Sequence, residues 1–336
     1  MDFVVSMDRR LREVELLSHF SDEQIEQLSR CTSRVRYPEG AIVVKEGDTT
    51  LDAYLIDRGE IRIHRDTPYG TYVLADLGPG ELFGETSFID QSARSGDALV
   101  VAETALFPFN SVALHAMTER DRPFTLALYW TFWKSLSKKL RRANESLGRF
   151  DFGAGDPPPP RPAAPEAAAA DFRVGLHAKR DLFREQKLSS LEINFLSTLS
   201  KEKRLAAGEV LFREGDPGDH LYVVLEGQVR ISKNISGAGE EALAIMGRGD
   251  YFGEMALIDE QPRSADARAH DDGAVVLAIA SEALRNILDP GKVSSIRLLK
   301  ILCGLIAKRL REIDDKLVSW FIFSGGAGTS LGLPDL

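Results

Sequence analysis

The sequence predicts a mainly β fold with added helices: two β-rolls of the jelly-roll, double-stranded β-helix kind, each with a helical opening and a long closing helix. Three observations predict it. The chain repeats its landmarks once, in the same order. Each copy carries short runs of alternating apolar and polar residues between Gly and Asp turns. Each copy then ends on a long apolar stripe at helical spacing.

The repeat comes first because it sets the domain count. The segment EGDTTLDAYLIDRGEIRI from Glu46 matches EGDPGDHLYVVLEGQVRI from Glu214, with Gly59 and Gly227 lying 168 positions apart. Further on, GELFGETSFIDQSARSGDA from Gly80 matches GDYFGEMALIDEQPRSADA from Gly249, with Gly84 and Gly253 lying 169 apart. One residue is therefore inserted between these landmarks in the second copy. A period this long is a duplicated domain and not a solenoid unit. Between the copies runs GAGDPPPPRPAAPEAAAA, from Gly153 to Ala170, which has no apolar period and reads as a semi-extended linker. The expected organisation is a first domain over 1–150, a linker over 151–171, a second domain over 172–323 and a flexible tail over 324–336.

Within each copy the elements follow in order. Helical openings are expected over Leu11–Cys31 and Leu182–Leu199. Strands such as Tyr54-Leu55-Ile56 and Ile61-Arg62-Ile63 follow, with Gly227 expected in the interior between two strands. Closing helices are expected from about Pro123 to Leu147 and from about Lys292 to Ser319. Leu126, Tyr129, Trp133, Leu136, Leu140, Ala143 and Leu147 mark the first stripe. Leu299, Cys303, Ile306, Leu310, Ile313, Leu317 and Trp320 mark the second. Steps of three and four make both stripes heptad-like. Each helix either packs on its own roll or pairs with the other, within the chain or across a homodimer.

Composition narrows the function classes. The chain has 336 residues, a formal net charge of −9 and a hydrophobic fraction of 43%. This mild acidity argues against a broad nucleic-acid surface, which needs clustered Lys and Arg. Two cysteines, Cys31 and Cys303, read as buried thiols in a reducing, cytoplasmic setting. No apolar run reaches the length of a membrane span, and no signal-peptide pattern opens the chain. The six histidines are scattered, without a His-x-x-x-His pair. The Gly-rich Ser324–Ser330 stretch lacks the lysine of a P-loop. No catalytic constellation, metal site or cofactor is expected.

The residues that carry chemistry are Phe-Gly-Glu followed, about nine residues on, by Arg-Ser. In the second copy these are Phe252-Gly253-Glu254-Met255-Ala256 and Pro262-Arg263-Ser264-Ala265. In the first copy they are Gly84, Glu85, Thr86 and Ser87, then Arg94 and Ser95. Glycine lets a backbone approach an anion closely, a helix start offers free N–H groups, and arginine adds a charge-assisted hydrogen bond. The structural alternative is a pair of turn glycines beside an exposed ion pair worth at most about 1 kcal/mol. Occurring twice in register, the pattern resembles the phosphate-binding cassette of the cyclic-nucleotide-binding family. That family includes catabolite-activator transcription factors, regulatory subunits of cAMP-dependent protein kinase and gated channels.

The resemblance implies roles. Glu254 takes the ribose 2′-OH, Arg263 the cyclic phosphate, Gly253 and Ala256 supply backbone contacts, and Ser264 a further polar one, with Met255 between them. The corresponding set is Gly84, Glu85, Ser87, Arg94 and Ser95. The ligand is then cAMP or cGMP; Ser264 after the arginine suits cAMP better. The first copy departs from the pattern: Thr86-Ser87 replace the apolar-small pair, Ala93 stands at the proline position and Gly96 at the alanine position. Those changes put its ligand preference in doubt, a cyclic dinucleotide being one alternative. The closing helix is expected to fold over the base, with Tyr129, Trp130, Trp133 and Trp320 as stacking candidates that fit the core better. Too few residues follow Trp320 for a helix-turn-helix, so direct DNA binding is not expected. Arg9-Arg10-Leu11-Arg12 is a poor kinase-inhibitor segment. The expectation is a cyclic-nucleotide receptor that signals to an unknown protein partner, with a structural adaptor carrying vestigial sites as the alternative.

Overall fold

The computed structural model describes residues 7–150, 174–235, 239–259, 261–288 and 296–326. The linker expected over 151–171 and the tail from residue 327 lie outside the described residues.

In the first copy, α1 (Met7–Arg12), a single 3-10 turn (Glu15–Leu17) and α2 (Asp22–Arg30) precede the strands. The strands are β1 (Val35–Tyr37), β2 (Ile42–Val44), β3 (Ala53–Thr67), β4 (Gly70–Leu77), β5 (Leu82–Phe83) and β6 (Asp97–Phe109), with α3 (Glu85–Asp90) between the last two. The copy ends with α4 (Ser111–Arg120) and α5 (Arg122–Arg149). The second copy repeats this order. It runs α6 (Leu176–Glu185), α7 (Ser190–Leu199), β7 (Lys201–Leu205), β8 (Val210–Phe212), β9 (His220–Ile235), β10 (Gly239–Met246) and β11 (Tyr251–Phe252). It closes with α8 (Met255–Asp259), β12 (Asp266–Ala280), α9 (Ser281–Leu288) and α10 (Ile296–Phe323).

Each opening that the periodicity predicts as one helix is two, because a serine caps a new start. Ser21 accepts from the Gln24 N–H and Gln24 reaches back to the Ser21 N–H; Ser189 and Glu192 do the same in the second copy. Such a capping box satisfies two end donors, the hydroxyl bond being worth about 1 kcal/mol.

The two sheets have one topology. The first has strand order β1-β6-β3-β4, with β2 on β6 and β5 on β3; the second has β10-β9-β12-β7, with β8 on β12 and β11 on β9. All pairings are antiparallel. The inserted residue lies between two paired strands: two positions separate the end of β3 from the start of β4, and three separate β9 from β10. Inward residues alternate as a half-buried strand requires. Ile56, Ile61, Leu77, Phe83, Val100 and Leu106 fill the first roll. Tyr222, Val224, Val229, Met246, Phe252 and Val276 fill the second. Gly227, expected in the interior, is exposed; it sits where β9 shifts register against β12, and a Cβ there would meet the Gly273 carbonyl.

By compactness the described chain forms two units, Met1–Leu136 with Ile306–Leu336, and Ser137–Leu305. The division runs through both closing helices. In the first unit, the start of α5 packs on the opening segment: Thr131 donates to the Leu16 carbonyl at 3.1 Å and Trp130 meets His19 edge-on at 5.3 Å. The end of α10 joins the same unit, with Arg65 donating to Asp315 at 2.6 Å and Tyr72 lying 5.2 Å from Phe321. In the second unit, α10 begins against α7, where the Leu298 N–H donates to Glu192 at 3.0 Å. The end of α5 belongs to this second unit.

All seven positions of the first stripe are buried, and six of the seven in the second; Trp320 is half-buried. Tyr129 and Trp133 are core side chains. Cys303 is buried, but Cys31, expected to be buried, is half-buried beside Met117.

Candidate functional site

Each cassette is a turn, a short helix and an arginine. In the first, Gly84 at φ +83° caps α3, which opens with Glu85, Thr86 and Ser87; Arg94 and Ser95 lie just before β6. In the second, Gly253 at φ +80° and Glu254 lead into α8, which opens with Met255 and Ala256; Arg263 and Ser264 lie just before β12.

The glycines are required twice over. Their left-handed backbone disfavours a side chain, and a Cβ at either one would lie 2.6 Å from the arginine Nη1. This closeness lets the guanidinium reach the turn. Arg94 donates from Nη1 to the Gly84 carbonyl (3.0 Å) and from Nη2 to the Asp52 carbonyl (2.6 Å). Arg263 donates from Nη1 to the Gly253 carbonyl (2.7 Å) and from Nη2 to the His220 carbonyl (2.9 Å).

The Glu-Gly-Asp segment explains the rest of the geometry. The Gly47 N–H donates to the Arg94 carbonyl and the Arg94 N–H to the Asp48 carbonyl; Gly215, Arg263 and Asp216 repeat this at 2.9 and 2.8 Å. Asp97 and Asp266 accept from the backbone of Glu46 and Glu214 and fix the loop from the other side. Both arginines are thus clamped through their own backbone as well as their side chains.

Both are also buried, at 5% and 4% exposure, as are Glu85, Ser87, Glu254, Met255 and Ala256. Burial lowers the pKa of Arg94, and Tyr54, Asp52 and Glu85 push it back up. Burial lowers that of Arg263 likewise, against Tyr222, Asp219 and Glu254. A guanidinium remains charged under such shifts, so each roll holds a desolvated positive charge beside a helix start. The Arg263 Cζ also lies 4.3 Å from the Phe212 ring centroid, a cation–π contact that consumes no N–H.

Several functional neighbours escape sequence reasoning. In the first unit, the Ser135 hydroxyl donates to Glu85 at 2.7 Å. There too Arg311 donates to Ser87 at 3.3 Å, to the Ala93 carbonyl at 2.9 Å and to Asp90. In the second unit, Arg141 donates to the Pro262 carbonyl at 2.9 Å and Asn144 to Ser264 at 3.2 Å. Arg141 and Arg311 are 170 positions apart and both use Nη1 to bind the carbonyl just before a cassette arginine. Their near-repeat spacing was a readable signal. Ser95 contributes its carbonyl, which accepts from Arg65 Nε.

A cavity of about 420 Å³ opens beside the second cassette, lined by Gly218, Asp219, Ala256, Leu257 and Pro262 among others. That volume lies within the range of about 300–1,000 Å³ usual for small-molecule sites.

The family model described as "Cyclic nucleotide-binding domain" matches residues 34–121 and 202–290, more than half of the chain. The chain belongs to the cyclic nucleotide-binding domain family. Its two copies of the domain each hold one cassette. A cGMP-dependent protein kinase of Caenorhabditis elegans, egl-4, is 21% identical over 284 residues, covering 84% of this chain and 30% of that protein. The Cyclic AMP receptor protein of Thermus thermophilus is 34% identical over 130 residues, covering 39% of this chain and 58% of that protein. The chain thus spans less than two thirds of the length of these relatives. Among solved structures, the regulatory domain of Toxoplasma gondii PKA with cAMP is 19% identical, with 84% of this chain and 91% of that one covered at a TM-score of 0.31. No helix among the described residues is long and apolar enough to cross a membrane.

Proposed function

We propose that this chain is a receptor for a cyclic mononucleotide, cAMP first and cGMP second, that works by binding and not by catalysis. The observation that carries the reading is the buried, charged arginine held against a left-handed glycine turn at a helix start, present in both rolls. A cyclic phosphodiester is one compact negative charge, and a desolvated guanidinium recognises it strongly because water competes poorly there. Arg263 takes the phosphate, Glu254 a ribose hydroxyl, and Gly253, Met255, Ala256 and Ser264 line the grip. Arg94, Glu85, Gly84, Thr86, Ser87 and Ser95 are the matching set. Ligand arriving at a cassette meets the side chains that tie it to a closing helix, Arg141 and Asn144 in the second unit. The helices are therefore the route by which occupancy reaches a protein partner, in a cytoplasmic setting.

Thermal melting of the full chain with cAMP, cGMP and a non-cyclic nucleotide tests this. A receptor's midpoint rises with its ligand because only the folded state binds it. An adaptor with vestigial cassettes gives no shift with any of them. Arg263→Ala should weaken binding by about 2–5 kcal/mol, since the phosphate charge then stays buried and unpaired; calorimetry giving unchanged affinity would remove Arg263 from the site.

A further inference from the structure

We propose that the two cassettes are unequal: the second takes the cyclic nucleotide, and the first is already closed by the chain's own side chains. This rests on the receptor reading above and adds which site acts and what decides it.

The difference begins at the arginines. Arg94 has all three nitrogens engaged, because its Nε donates to the Thr50 hydroxyl at 3.3 Å in addition to the two carbonyl bonds. Arg263 makes the same two carbonyl bonds, but its Nε has no hydrogen-bond partner among the described residues, although the residue is 4% exposed. A buried charged donor left without an acceptor is costly, and an anionic oxygen placed there removes the cost. One position produces the contrast. Gly218 stands where the first copy has Thr50, the same 168 positions away that separate Gly59 and Gly227. A Cβ on Gly218 would lie 3.3 Å from Arg263 Nε, so glycine there removes the side chain that in the first copy supplies the acceptor, and Gly218 itself lines the adjoining cavity.

Two further contacts close the first cassette. The carboxylate of Glu85, whose counterpart is assigned the ribose hydroxyl, already accepts a hydroxyl from Ser135. Ser87 accepts from Arg311, whereas the matching Ala256 has no hydroxyl and lines the cavity. Helix cover alone does not distinguish the sites, since Arg141 and Arg311 each bind one cassette carbonyl. What distinguishes them is that Arg94 Nε and Ser87 carry internal partners, whereas Arg263 Nε has none among the described residues and Ala256 has no hydroxyl.

Calorimetry on the full chain with cAMP, repeated with cGMP, reads the stoichiometry. One equivalent per chain is expected, about 30-fold or more weaker in Arg263→Ala, and likewise weaker in Arg263→Lys if the alanine variant does not fold. Adding a side chain at Gly218 would run into Ala256, so the converse change is made in the first copy. The double variant T50G/S135A should bind a second equivalent. Two equivalents in the unaltered chain, or one retained at unchanged affinity in the folded Arg263 variants, overturn the proposal while leaving the receptor reading intact. A count that stays at one in T50G/S135A overturns the closing role of Thr50 and Ser135. No binding of either nucleotide at any concentration overturns the receptor reading, and this inference with it.

Discussion

Gly84→Ala isolates the contact on which the cassette geometry depends. Two terms oppose the substitution. A left-handed backbone costs a non-glycine residue about 1–2 kcal/mol. The new Cβ would also lie 2.6 Å from Arg94 Nη1 and 2.6 Å from the Asp52 carbonyl, so the guanidinium must leave. Its departure loses a charge-assisted bond to the Gly84 carbonyl, worth about 1.5–3 kcal/mol. The expected loss of stability is therefore about 2.5–5 kcal/mol. Gly40 supplies the control: its φ is +79°, yet nothing lies within 4 Å of a Cβ built there, so Gly40→Ala should cost the backbone term alone. The three tryptophans, Trp130, Trp133 and Trp320, all fall in the first unit, so their emission during urea unfolding reports the unit that holds both glycines. Equal losses in the two variants would refute the contact argument, and a loss below about 1 kcal/mol in both would refute the backbone argument as well.

Glu202 should make part of the second unit's stability pH-dependent. Burial raises its pKa, but the bond and charge of Lys179, with backbone donors including the Val174 N–H, outweigh that and hold it below the usual carboxylate value. A depressed folded pKa stabilises above the ordinary value near 4.5 and loses that contribution as pH falls through the lowered one. Glu202→Gln should cost about 1–3 kcal/mol at pH 7 by far-UV circular dichroism, with the gap to the unaltered chain shrinking below about pH 4.5; a gap that does not narrow in acid would exclude the pairing. A disulfide-exchange reagent should modify the native chain at half-buried Cys31 and reach Cys303, whose thiol burial pushes far up in pKa, only on unfolding. Two thiols reacting at the same rate would contradict the packing of α10.

Much of this molecule was legible before any coordinates. The duplicated landmarks located both rolls, because a turn glycine and its flanking apolar alternation are local and survive as a pattern. Gly84, Arg94, Gly253 and Arg263 were legible for the same reason, as residue types whose chemistry is specific to an anion grip. What stayed hidden was non-local. The Ser135–Glu85 contact joins positions 50 apart, and Arg311–Ser87 joins positions 224 apart. No short pattern encodes such partners. The apolar stripes disclosed that α5 and α10 bury one face, but periodicity cannot name the surface that receives it. Thr50 and Gly218 belong to no motif, and only the position of Arg263 Nε gives their difference meaning. Gly227 misled for the opposite reason: it sits at a register shift, where the alternation that marks an interior position breaks down.

The route of the closing helices sets a lower limit on what can be cut from this protein. α5 leaves the roll that its sequence follows and supplies Arg141 and Asn144 to the other cassette; α10 supplies Arg311 in return. Severing the chain between the repeats would give two fragments that each retain a complete grip but lack the helical segment that covers it. Each would also carry a bare apolar stripe, Leu140, Ala143 and Leu147 on one and Leu310, Ile313 and Leu317 on the other. Neither fragment is then a faithful miniature of half the protein, and the autonomous piece is the intact pair.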